Sequence, residues 1–171
     1  LDALSLRRLA ARLGVTAPAL YAHVKDKRDL LRSLAEGEFE ALVARFDDVA
    51  DLPPLERIRA HGRAYVEHVR QNPELFRLMF LFPPDLGPAE LPEGIELPGA
   101  TRAFEAAAAA VAEAAATGDI RTDDPLLASL AMWSAMHGVA SILQLGFELP
   151  PGFEDRLLDE VTDRLLGGYG A

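Results

Sequence analysis

The sequence contains no cysteine. That excludes disulfides, thiolate metal sites and thiol nucleophiles, and it suits a reducing cytosol, so a cytoplasmic location is expected. Other absences narrow the function. There is no glycine-rich phosphate loop, no nucleophile elbow around any of the five serines, and no carboxylate pair at a revealing spacing. His61 and His68 fall on one helical face but are seven residues apart. On a helix that is about 10.5 Å, which one zinc ion with bonds of about 2.1 Å does not easily bridge. No enzyme, catalytic residue, cofactor or metal site is therefore expected. Nor does a secretory or twin-arginine signal precede the first motif, and no alternating run is long enough to be a strand.

What is present is helical and unevenly charged. The formal net charge is −10, yet residues 1–32 carry 7 Lys and Arg against 3 Asp and Glu, leaving the rest of the chain strongly acidic. A small basic head on an acidic body suits a molecule of which only the head approaches phosphate. Proline and glycine punctuate the chain. Between them the apolar period predicts helices over Ser5–Leu13, Thr16–Val24, Lys27–Phe46, Pro54–Gln71, Pro73–Leu81, Pro98–Thr117, Pro125–Leu145 and Phe153–Leu166. The five prolines and three glycines of "FPPDLGPAELPEGIELPG", Phe82 to Gly99, predict one long irregular connection. The alanine-rich run Ala103–Ala116 predicts a helix packed closely on its neighbours. Pro125–Phe147 is uncharged and long enough to cross a bilayer, but three serines, a histidine, a glutamine and acidic flanks argue against it. A helix apolar all round is expected to be buried on every side, with no membrane partner.

The first 34 residues carry the functional signal. Leu6, Leu9 and Leu13 recur as an inward stripe, Gly14 ends that helix in a left-handed turn, and Val15 covers the small core. Thr16 is a good N-cap, Pro18 is tolerated in the first turn, and Leu20 and Val24 point inward. Asp26 caps the next helix with Asp29 three residues on, while Leu30, Leu31 and Leu34 close the centre. Thr16, Tyr21, His23, Lys25 and Lys27 remain outside, with hydroxyl, imidazole and ammonium groups able to contact phosphate oxygens. A three-helix scaffold with solvated polar residues, serving protein interaction, is the alternative that spacing alone leaves open.

Ser5 to Leu31, "SLRRLAARLGVTAPALYAHVKDKRDLL", resembles the DNA-binding domain of the TetR family of bacterial transcriptional repressors. Leu9, Ala10, Leu13, Gly14, Val15, Leu20, Tyr21, His23, Val24, Lys27 and Leu31 fall where the family pattern puts them, over about the first 45 residues. "WSAMHG", Trp133 to Gly138, resembles the tryptophan and histidine-glycine signature of one class of ligand-binding domains in this family. The resemblance implies an all-α chain: a helix-turn-helix domain over residues 1–46, then a helical ligand-binding and dimerisation domain over 47–171. Members normally carry another helix ahead of the reading unit, so the first domain is expected to be shortened at its N-terminus.

The resemblance also implies roles. Thr16, Tyr21, His23, Lys25 and Lys27 would contact the DNA backbone, and Ala17, Pro18 and Ala19 would meet bases by van der Waals contact alone, best matched to thymine methyls. Arg7 matches a position from which an arginine reaches a base in one member, so it is the expected hydrogen-bonding reader. The partners implied are a double-stranded palindromic operator, a second copy of the chain, and a small hydrophobic effector that releases the repressor. Phe76, Met79, Phe80, Phe104, Trp133, Met136 and His137 are the pocket candidates. His137 is expected either to offer the effector a hydrogen bond or to be a satisfied structural histidine beside a glycine that permits close helix packing. Leu130, Ser134 and Ser141, with Phe153, Leu157, Leu158, Val161 and Leu165 on one face of the last helix, would supply half of a four-helix dimer interface.

Overall fold

Proline opens half of the helices. In a computed structural model of the chain, residues 5–80 and 97–170 are described, the side chains of Leu78 and Met79 excepted. They form α1 (Leu6–Leu13), α2 (Ala17–Tyr21), α3 (Lys27–Asp47), α4 (Pro54–Gln71), α5 (Pro73–Phe80), α6 (Pro98–Thr117), α7 (Pro125–Leu143) and α8 (Phe153–Gly168), with no strand among the described residues. Proline at the start of α4, α5, α6 and α7 forgoes only an N–H that has no intrahelical partner there. Most of the irregular connection expected before Gly99 lies outside the described residues.

The head is α1, α2 and the start of α3. Gly14 takes φ 70°, and the Val15 N–H reaches back to the Ala10 carbonyl at 3.0 Å, closing α1 as expected. The expected inward stripe is only partly buried. Leu6 and Ala10 are enclosed, whereas Leu13 is 61 % exposed and Val15 and Leu34 are also open. A partner helix of five residues, α2, covers too little of α1 to enclose its second turn. α2 is shorter than expected because its end tightens, the His23 N–H bonding the Leu20 carbonyl at 3.0 Å, although Val24 is buried as its spacing suggested.

From Leu31 onward α3 packs against the body, Leu31, Ala35 and Phe39 meeting Leu75, Phe80, Leu97 and Ala100. Its Leu42, Val43 and Phe46 join Tyr65, Val66 and Val69 of α4 and Met136, Val139 and Ala140 of α7 in the main core. α6 touches α3, α4 and α7. Ala110 and Ala114, with no exposure at all, pack it tightly against Ile58, Ala128 and Leu166. At the start of α6, Gly99 donates its N–H to Glu36 Oε1 at 2.6 Å, and Arg102 pairs with Glu40.

α7 is the one described helix with the length and hydropathy of a membrane span, yet Ala128, Met132, Met136, Val139 and Ala140 are buried against the bundle. The expectation of burial on every side does not hold. Leu126, Leu127, Leu130, Trp133 and Ile142 are exposed, because α4, α6 and α8 cover only part of its circumference. α8 is held on its polar side by arginines of α4: Arg59 to Asp163 and Arg63 to Asp159, each at 2.5 Å, and Arg70 to Glu154 at 2.9 Å.

Candidate nucleic-acid interface and ligand cavity

The polar residues of the head are set by short local bonds. Thr16 Oγ1 accepts from the Ala19 N–H at 3.3 Å, which leaves its own hydroxyl hydrogen for an outside acceptor. Asp26 accepts from the Asp29 N–H, and Asp29 Oδ2 accepts from the Lys25 N–H, each at 2.9 Å. This reciprocal pair fixes the turn that carries Lys25 into α3. The Lys25 N–H holds the Asp29 carboxyl below the usual carboxylate range against the opposing effect of burial, with Arg32 adding to the lowering. Arg7, Thr16, Pro18, Ala19, Tyr21, His23 and Lys25 are exposed, while Ala17 and Lys27 are half-buried. The head thus presents hydroxyl, imidazole and cationic groups around a bare alanine-proline-alanine segment.

The body holds a partly open cavity of about 590 Å³ between α3, α4, α6, α7 and α8. Its origin is compositional. α6 turns Ala100, Ala103 and Ala107 toward it alongside Phe104 and Val111, and alanine leaves unfilled the volume a larger side chain would occupy. The runs read in the sequence as a tightly packed helix therefore do two things: Ala110 and Ala114 pack closely, while the cavity-side alanines leave room. Phe39, Leu42 and Phe46 of α3 form the wall opposite, with His61 and Tyr65 of α4, Met132, Trp133 and Met136 of α7, and Thr162 and Leu165 of α8. No described residue of the lining carries a charged side chain at neutral pH.

Two histidines differ sharply in their surroundings. His61 is 5 % exposed and stacks on Phe46 at a centroid distance of 4.2 Å. Burial, with a smaller push from Arg57, lowers its pKa from 6.5 to about 4 against the pull of the Phe46 carbonyl, and its Nδ1 has no hydrogen-bond partner. His137 is half-buried, and its Nδ1 meets the Tyr65 hydroxyl at 2.8 Å. Burial keeps Tyr65 un-ionised, pushing its pKa up against the indole N–H of Trp133, and lowers that of His137. A third histidine, His68, is buried against Glu38 at 3.1 Å, and burial lowers its pKa although the carboxylate pulls the other way.

Of the expected pocket residues, Phe80, Phe104, Trp133 and Met136 line the cavity. Phe76 is enclosed in the core, and His137 stands behind the wall, its ring 5.2 Å from Phe76 and 4.9 Å from Phe80. The side chain of Met79 lies outside the described residues. Gly138 does not serve close packing within the chain, since nothing lies within 4 Å of where its Cβ would be. Among the expected dimer residues, Leu130, Ser134 and Phe153 are exposed and Ser141 half-buried. Leu158 is 5 % exposed in the chain's own core, with Leu157, Val161 and Leu165 packed beside it. Sequence reasoning missed Phe39, Phe46, His61, Tyr65 and Thr162. A signal existed in the seven-residue spacing of Phe39 and Phe46 and in the Ile58, His61, Tyr65 stripe.

Residues 58–166 match the family model described as tetracyclin repressor-like, C-terminal domain, and residues 1–34 match that of bacterial regulatory proteins, tetR family. The tetracycline repressor protein class D of Escherichia coli is 38 % identical over 81 residues, which are 47 % of this chain and 32 % of that protein. The chain thus matches about a third of that repressor's length. An uncharacterized HTH-type transcriptional regulator of Mycobacterium tuberculosis is 29 % identical over 98 % of this chain and 72 % of its own length. Among solved structures, a protein of unknown function from Rhodococcus sp. RHA1 has a TM-score of 0.81 at 27 % identity, covering 100 % of this chain and 87 % of that one. AibR in complex with isovaleryl coenzyme A and operator DNA has a TM-score of 0.72 at 19 % identity, over 96 % and 88 % of the two chains. With a helix-turn-helix head and a helical body each matched by its own half of the pattern, the chain belongs to the TetR family of DNA-binding transcriptional regulators, which are not enzymes.

Proposed function

We propose that the chain is a ligand-responsive repressor that binds a palindromic operator as a homodimer and is released when a small hydrophobic molecule fills the cavity. The observation that carries this is the position of α3. It starts in the head at Lys27 and presents Phe39, Leu42 and Phe46 to the cavity wall. A helix of 21 residues is about 31 Å long. A ligand that displaces the Phe39 and Phe46 rings tilts this rod and moves the head at its other end. The ligand shifts the equilibrium only by its differential affinity for the two head positions. That a structural neighbour was solved with both an acyl coenzyme A and operator DNA supports the pairing of the two functions in this fold.

In this reading Arg7 reads a base, Thr16, Tyr21, His23, Lys25 and Lys27 hold phosphates, and Ala17, Pro18 and Ala19 lie against thymine methyls. The uncovered apolar side chains of α7, with Phe153 at the start of α8, supply the dimer face, and Ser134 and Gly138 let a second copy approach closely. Two heads then meet half-sites about 34–36 Å apart, or a multiple of that. The test is selection of bound DNA from a random library by the full chain, repeated with apolar compounds. An enriched palindrome whose binding weakens steeply with salt is expected. Failure to enrich any palindrome refutes the proposal.

A further inference from the structure

We infer that the start of α6 carries the state of the cavity to the head, and that Glu36 is the positioning residue that ties it to α3. The inference rests on the cavity being the effector site, and it deepens that reading by naming the joint on which α3 is held. Leu97, the residue that caps α6, and Ala100 in its first turn line the cavity, and both also pack on Leu31, Ala35 and Phe39 of α3. Leu31 stands one turn after Lys27, where α3 leaves the head. The start of α6 thus borders both the ligand space and the head-ward half of α3.

Polar bonds fasten this contact. Glu36 Oε1 accepts from the Gly99 N–H at 2.6 Å, in the first turn of α6, where main-chain N–H groups lack a partner within the helix and favour a carboxylate. One turn further along α3, Glu40 pairs with Arg102. The joint is also poised to open. Glu36 Oε2 is enclosed without a hydrogen-bond partner, a cost that water removes when the helices part. Packing then gives the joint a direction. At Gly99, α6 rests on α3 with no space even for a methyl group, so a ligand pressing between Ala103 of α6 and Leu42 of α3 moves the two helices apart, not together. Separation lengthens the bond from Gly99 to Glu36, so a filled cavity and a closed joint oppose each other. Linkage makes the opposition reciprocal: whatever loosens the joint favours the ligand and, in a repressor released by its ligand, disfavours the operator.

The probe is N-phenyl-1-naphthylamine, a neutral dye whose emission rises in apolar surroundings, titrated into the full chain with and without the operator selected from the random library. Glu36→Ala should tighten dye binding and weaken operator binding, each by about three- to tenfold. Glu36→Gln, which keeps the accepting oxygen, should return both affinities to within about twofold of the native values. Arg102→Ala, at an exposed position, should shift both affinities in the same opposed directions as Glu36→Ala, so the test does not depend on the folding of one variant. A side chain that only supports the fold would lower both affinities or neither. If the dye releases the operator from the native protein while Glu36→Ala and Arg102→Ala leave both affinities unchanged, or lower both, the inference is overturned and the effector reading stands. A dye that does not bind, or that binds without weakening the hold on the operator, counts against the cavity as effector site and overturns the inference with it.

Discussion

Replacing Gly99 by alanine should destabilise the protein, although alanine is the better helix former. A Cβ at Gly99 would lie 2.9 Å from Phe39 Cβ, 3.0 Å from Glu36 Oε1 and 3.2 Å from the Glu40 main-chain nitrogen. Carbon atoms rest at about 3.5–4.0 Å, so the start of α6 must retreat from α3 by roughly 0.6–1 Å. That retreat stretches the 2.6 Å bond from the Gly99 N–H to Glu36 and draws Arg102 away from Glu40. Overpacking of this kind costs about 1–3 kcal/mol, and the helix propensity gained returns at most about 1 kcal/mol. With the middle of that cost, about 2 kcal/mol, the net loss is about 1–2 kcal/mol and should lower the thermal midpoint by about 2–8 °C in a chain of this size. Gly37→Ala is the matched control. Gly37 sits inside α3 with nothing within 4 Å of its Cβ position, so the same change there should add about 0.5–1 kcal/mol. Thermal unfolding followed by far-ultraviolet circular dichroism checks both. A Gly99→Ala protein as stable as its parent would show that α6 does not rest on α3 at this point as described.

Stability should fall on acidification, because between pH 6.5 and about 4 the unfolded chain binds a proton at His61 that the native ring refuses. At pH 5 this one group should cost up to about 2 kcal/mol, and the gap between parent and His61→Phe in urea unfolding should shift accordingly; a gap that is the same at pH 7 and pH 5 contradicts the account. Arg7→Ala should relax preference at one base pair by about 1–3 kcal/mol, whereas Lys27→Ala should weaken all sequences alike; the opposite pattern in a selection experiment reverses the roles. Leu126→Glu and Leu127→Glu, both exposed on α7, should shift the protein toward monomer in sedimentation, and an unchanged oligomeric state would move the interface elsewhere.

The helices were legible wherever a local rule decides them. Pro54, Pro98 and Pro125 start α4, α6 and α7, and Gly14 stops α1 with a positive φ, because each acts within one turn of chain. What no local rule decides is which side of a helix its neighbours reach. Leu13 and Leu34 have the spacing of core residues yet stand exposed, since burial depends on whether another element is long enough to cover them. The cavity was half legible for the same reason. Phe80, Phe104, Trp133 and Met136 were found by bulk, but its existence depends on alanines of α6 facing aromatic residues of α3 more than fifty residues away in sequence. His61 looked like a metal candidate to be dismissed; its isolation from every donor is visible only once α3 and α4 are packed.

The bond between Tyr65 and His137 bears on how α7 finds its orientation. A helix apolar around its whole girth has little to tell it which angle to adopt about its own axis, because hydrophobic burial is non-directional and many rotations cover similar area. Directional contacts break that degeneracy: Tyr65 to His137 at 2.8 Å, and the Gln144 amide to the Val69 carbonyl at 3.2 Å. Both tie α7 to α4, and both would be lost by a turn of one residue. The histidine and the glutamine thus act as an angular index mark on an otherwise featureless cylinder. They decide which of its leucines are left facing outward.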